Sequence, residues 1–125
     1  MKCFGDDFQI VPIMVGKVST KQKKAYAKYR FSFTFLNRVL KNYLEDDETV
    51  FVISSDFCHW GSAFHFQYYD PSDGEIWESI EKLDKKGASL ICNEDADGFA
   101  KYIESYHNTI CGRNCIEVGF YSSIY

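Results

Sequence analysis

A chain of 125 residues with 46% hydrophobic and 26% charged positions suits one folded domain and excludes intrinsic disorder or a fibrous repeat. Fourteen Lys and Arg against eighteen Asp and Glu leave a net charge of -4, which argues against a grip on nucleic-acid phosphates. No apolar run approaches the roughly 20 residues that span a bilayer, and the Met1–Asp7 start lacks the basic and apolar regions of an export signal. No membrane partner is expected, and the expected location is cytoplasmic.

Phe8–Val15 (FQIVPIMV) is nearly all apolar and ends at Gly16, the pattern of a strand buried on both faces, although Pro12 removes one ladder donor. Ser19 with Gln22 resembles a capping box, and Tyr26, Tyr29, Phe33, Leu36, Leu40 and Tyr43 then repeat at steps of three and four, which predicts an amphipathic helix. Lys21, Lys23, Lys24 and Lys28 lie mostly off that stripe and read as its solvated face. Four acidic residues, Glu45–Glu48, suit an exposed loop better than a helix C-terminus, whose dipole repels them. Thr49–Ile53 (TVFVI) is a second strand-like run. Strand, helix, strand in this order predicts a right-handed crossover between parallel strands and an α/β class.

Further along, Asp70 and Pro71 occupy N-cap and first-turn positions, Ile76, Trp77, Ile80 and Leu83 form a stripe, and Gly87 suits a helix end. Phe99, Tyr102, Ile103 and Tyr106 mark a third helix capped near Asn93 or Asp95, and a last element begins around Asn108. Two strands cannot make a parallel sheet covered on both faces, so the expectation is one partial domain over 1–125, a piece of a larger fold.

Five cysteines (Cys3, Cys58, Cys92, Cys111 and Cys115) without framework spacing read as reduced thiols. In open parallel sheets ligands bind beyond the carboxyl ends of strands, which is where Ser54–Trp60 falls. Asp56 and His59, three apart in a tight turn, permit the carboxylate to hold one imidazole nitrogen and leave the other as acid, base or ligand. The alternative is an Asp56 that caps a turn beside an ordinary polar His59. Cys58 reads as a buried structural thiol. If Asn108 caps the last helix, Cys111 sits in its first turn, where the dipole and Arg113 favour the thiolate that a soft metal requires; otherwise it is an inert buried cysteine. His65 lies in the aromatic stretch Phe64–Tyr69, which either lines a pocket or packs, and His107 suits a helix C-terminus. No CxxC pair, HExxH, GxSxG, Walker loop or GxGxxG occurs.

SSDFCHWGSAFHFQYYD (Ser54–Asp70), GEIWESIEKLD (Gly74–Asp84) and YHNTICGR (Tyr106–Arg113) together resemble the Memo family, whose fold is similar to class III extradiol dioxygenases. The resemblance runs from about Phe8 to about Arg113. It implies a mostly parallel α/β/α fold truncated here at both ends, and a metal site of two histidines and one cysteine. Cys111 matches that cysteine, Asp56 and His59 match pocket residues beside the metal, and His59 resembles the acid–base histidine of the related dioxygenases. Trp60, His65 and Arg113 complete the expected pocket. The family's two histidine ligands lie upstream of the matched segment, so iron or copper is expected for the complete site and weak or absent binding for this chain alone.

Three functions compete on this reading. The first is a metal-dependent redox protein with iron or copper near Cys111. The second, implied by the family's association with receptor tyrosine kinase signalling and the cytoskeleton, is a binding module for a protein or phosphotyrosine-peptide partner. The third is a truncated, inactive fragment. Self-association is expected if the apolar helix stripes are left uncovered.

Overall fold

Glu75 and Glu78 start the longest helix by a reciprocal capping box: the Glu75 N–H donates to Glu78 Oε2 at 2.8 Å, and the Glu75 side chain accepts in turn from the Glu78 backbone. The computed structural model describes residues 8–16, 40, 42–43 and 45–123. Three α-helices lie wholly within them: α1 (Ile76–Cys92), α2 (Ala96–Tyr106) and α3 (Arg113–Ser123). Two short 3₁₀ turns precede them, Ser62–Phe64 and Pro71–Asp73.

Ser79, Leu83 and Gly87, four apart, form the buried face of α1, as the helical period dictates. Asp95 caps α2, accepting from the Gly98 N–H at 2.8 Å, and His107 ends it in the left-handed conformation with φ 53°. Phe99 and Tyr102 from α2 and Ile116 and Phe120 from α3 meet Leu83 and Ile110 in one core. The rings of Phe99 and Phe120 lie 5.6 Å apart. Inside this core the Tyr102 hydroxyl donates to the Leu83 carbonyl and accepts from Asn108 Nδ2.

Several expectations are corrected. Gly87 does not end a helix. It is an interior, buried position of α1 where a Cβ would lie 3.0 Å from the Tyr102 ring, so α1 and α2 approach through its missing side chain. Asp70 and Pro71 open the 3₁₀ turn rather than α1: the Asp70 carboxylate accepts from the Ser72 N–H, and α1 begins five residues after Pro71. Asn108 caps nothing. It is fully buried and donates to Asp84 and Tyr102, and α3 starts only at Arg113.

The described residues contain no β-strand, so the expected parallel crossover between Phe8–Val15 and Thr49–Ile53 is not formed. Both segments run outside any helix with their side chains largely in solvent. Val50 and Val52 are 82% and 87% exposed and Phe51 and Ile53 40% and 45%, a strand-like alternation without a neighbouring strand to cover its outer face. Ile53 packs towards α3, whose Gly119 would bring a Cβ within 3.1 Å of Ile53 Cδ1. The first predicted helix falls mostly outside the described residues, as do Cys3 and the lysine face. Of its stripe, Leu40 and Tyr43 are helical, the former buried and the latter exposed. The acidic run Glu45–Glu48 is an exposed turn, as expected.

Candidate metal centre

Ser55–His59 and Thr109–Gly112 lie side by side. Ser55 pairs with Gly112, Asp56 with Cys111 and His59 with Thr109, so partner numbers fall in one segment as they rise in the other and the apposition is antiparallel. The Cys111 N–H donates to the Asp56 carbonyl at 3.2 Å and the Asp56 N–H donates to Cys111 Sγ at 3.1 Å. Ser55 Oγ accepts from the Gly112 N–H at 2.9 Å and lies 3.9 Å from Cys111 Sγ. Gly112 is required for this approach, since a Cβ there would stand 2.5 Å from Ser55 Cβ and 2.8 Å from the Ser54 carbonyl. Thr109 Oγ1 accepts from the His59 N–H at 2.7 Å and donates to the His59 carbonyl at 3.0 Å.

This stitching brings one carboxylate oxygen of Asp56, one imidazole nitrogen of His59 and the Cys111 sulfur within 4.8 Å of one another. Asp56 and Cys111 are exposed and His59 is half-buried, so the cluster opens to solvent. The Asp56 N–H and a hydrogen bond from the His59 side chain, with Ser55 in support, hold the Cys111 thiol below the ordinary thiol range against the opposing effects of burial and the Asp56 charge. Thiolate stabilisation at Cys111 therefore comes from these donors, not from a place inside the first turn of a helix, because Cys111 precedes α3. Cys58 behaves oppositely: burial first, then the nearby Asp84 carboxylate, push its thiol up.

Among the described residues no hydrogen bond joins the Asp56 carboxylate to His59. The imidazole instead meets Cys111, and its ring lies 5.2 Å from that of Phe64. Trp60 adjoins the cluster in sequence, but its indole N–H donates to the Tyr68 carbonyl at 2.9 Å. His65 is exposed in the left-handed conformation at the end of the first 3₁₀ turn. Arg113 is half-buried at the start of α3, two residues beyond Cys111. Asp84 and Thr109 escaped sequence reasoning. Asp84 accepts from the Cys58 N–H with one oxygen and from Asn108 Nδ2 with the other, gripping both site segments from α1.

A thiol, an imidazole and a carboxylate thus converge on the surface of a helical core as a group that could hold a metal ion. The family model described as Memo-like protein matches residues 1–124, and the chain belongs to that family. It is 44% identical over 118 residues to "Protein MEMO1" of Homo sapiens, and 47% identical over 118 residues to "Protein MEMO1" of Xenopus laevis. Each alignment takes in 94% of this chain and 36% of the relative. "Protein memo-1 homolog" of Caenorhabditis elegans is 39% identical over 110 residues, 87% of this chain and 29% of the relative. The chain thus spans about a third of the length of the curated relatives it matches.

Proposed function

We propose that Asp56, His59 and Cys111 form part of a metal pocket serving a redox function, with iron or copper as the ion. The observation that carries this reading is the convergence of three different donor atoms, all within 4.8 Å, from segments more than fifty residues apart. The donor set fits: a stabilised thiolate and an imidazole suit copper, and imidazole with carboxylate suits iron. A bound iron or copper ion supplies one-electron chemistry. The chain's own contribution is to favour the Cys111 thiolate through the Asp56 N–H and to place the His59 imidazole beside it. Three donors leave a first shell incomplete, so metal held by this chain alone is expected to be removable by a chelator.

The proposed fold context is the family's sheet. Phe8–Val15 and Thr49–Ile53 act as strand-like units whose partners belong to the two thirds of the relatives' length that this chain does not match. The alternative of a phosphotyrosine-peptide site draws on the exposed Phe64 ring beside His59. It is the weaker reading, because the Asp56 carboxylate beside the same imidazole repels a phosphate of nearly two negative charges while attracting a cation.

Anaerobic equilibrium dialysis against Fe(II) and Cu(I) tests the proposal. Chelator-reversible binding that drops sharply in Cys111→Ser and His59→Ala supports it, and equal uptake by all three proteins overturns it.

A further inference from the structure

We infer that Thr109 is a positioning residue that holds His59 against Cys111, an inference that rests on reading these two residues as one pocket. Its hydroxyl satisfies both main-chain groups of His59, accepting from the N–H at 2.7 Å and donating to the carbonyl at 3.0 Å. A hydroxyl has one hydrogen to give and two lone pairs to accept with, so a single side chain does both; valine, of nearly the same outline, does neither. His59 lies in a stretch without strand or helix, so no backbone ladder fixes its position.

Thr109 is itself fixed from below. Its neighbour Asn108 is fully buried and bound to Asp84 at 2.8 Å and to Tyr102 at 2.7 Å, deep in the packing of α1 and α2. Asp84 also takes the Cys58 N–H, so residues 58 and 108 share one carboxylate while residues 59 and 109 share one hydroxyl. The rigid core thereby sets the register of both segments, and the imidazole faces the thiol two residues beyond Thr109. None of the core side chains that join the helices depends on the Thr109 hydroxyl. Its loss leaves the helices packed and releases the His59 main chain.

The test compares Thr109→Val and Thr109→Ser with the unaltered chain, using the side-chain ¹⁵N–¹H spectrum of His59 without metal, titration with Co(II), and thermal unfolding. In Thr109→Val the His59 imidazole signal moves and Co(II) affinity falls about 10- to 100-fold, as for other groups that orient metal ligands. Thr109→Ser keeps the hydroxyl and restores both. A His59 signal unchanged in Thr109→Val overturns the inference. If Thr109→Val does not fold, Thr109→Ser decides: a His59 signal at the unaltered position supports the role and a displaced one overturns it. Failure of the unaltered chain to bind Co(II) counts against the metal reading alone, because the metal-free imidazole signal still reports on Thr109.

Discussion

Asp56 and Cys111 are joined twice: the Asp56 N–H donates to the Cys111 sulfur at 3.1 Å, and the Cys111 N–H donates to the Asp56 carbonyl at 3.2 Å. The first bond stabilises the thiolate and the second holds the two segments in register, so the position of the sulfur and its ionisation depend on one pairing.

Thiol reactivity follows from that pairing. Cys111 is exposed and held below the ordinary thiol range, whereas burial and Asp84 push Cys58 above it. The thiolate is the nucleophile. Alkylation by iodoacetamide, followed site by site by mass spectrometry across pH, is therefore expected to label Cys111 at lower pH and faster than Cys58. The reverse order would contradict the hydrogen-bonding described here.

Gly112→Ala is expected to open the site. The added Cβ meets Ser55 Cβ at 2.5 Å and the Ser54 carbonyl at 2.8 Å, and neither is the yielding end of a flexible side chain. Overpacking of this kind costs about 1–3 kcal/mol. Denaturant melts measure that loss, and lowered Cys111 reactivity at fixed pH measures the separation from Ser55 and Asp56, whose hydrogen bonds favour the thiolate.

Tyr102 gives the fold an alkaline limit. Burial, the first cause, and the charges of Asp84 and its other neighbours push its phenol up to about 12, against the lowering effect of the Asn108 hydrogen bond. Between pH 10 and 12 the unfolded chain has released this proton while the folded chain keeps it. The contribution to stability is thus complete below pH 10 and is lost as pH rises towards 12. Tyr102→Phe removes the hydroxyl that serves Leu83 and Asn108, at a cost of about 1–2 kcal/mol near neutrality. It is expected to flatten the fall in stability above pH 10, which chemical denaturation at stepped pH measures.

Exposed apolar side chains in the two strand-like segments predict self-association. Ile10, Val11, Met14, Val50 and Val52 all stand largely in solvent, and each large apolar side chain left there forgoes roughly 1.5–3 kcal/mol of burial. Light scattering is expected to show mass growth with concentration, reduced in the double variant Val50→Lys, Val52→Lys. A concentration-independent monomer would show that these segments need no cover.

Helix positions were legible where the signal is local. The period of Phe99, Tyr102 and Tyr106 placed α2, because side chains three and four apart share a face, and of the two cap candidates, Asn93 and Asp95, it is Asp95 whose carboxylate reaches an N–H three residues on. Gly87 misled because its role is to admit the Tyr102 ring, a long-range contact that composition does not signal. Asn108 misled similarly: a cap-forming residue was drawn into the core by Asp84 and Tyr102. The strand-like segments kept their alternation but no ladder among the described residues, since a ladder is a property of two chain segments and a pattern is a property of one.

The site divides along the same line. Asp56, His59 and Cys111 stood out through the strings SSDFCHW and YHNTICGR that resemble the family, and the structure brings them within 4.8 Å. Thr109 and Asp84 act on His59 and Cys58 across separations of 50 and 26 residues through side-chain hydrogen bonds, which leave no periodic trace. Trp60, expected in the pocket, donates its indole N–H to the Tyr68 carbonyl.

The claim that Cys111, His59 and Asp56 hold a metal together is tested most directly by X-ray absorption at the copper edge of the Cu(I)-loaded chain. The expected spectrum contains a sulfur scatterer that disappears in Cys111→Ser and a nitrogen contribution that falls in His59→Ala. A spectrum without sulfur, or with sulfur that survives in Cys111→Ser, would place the ion elsewhere and contradict the assignment.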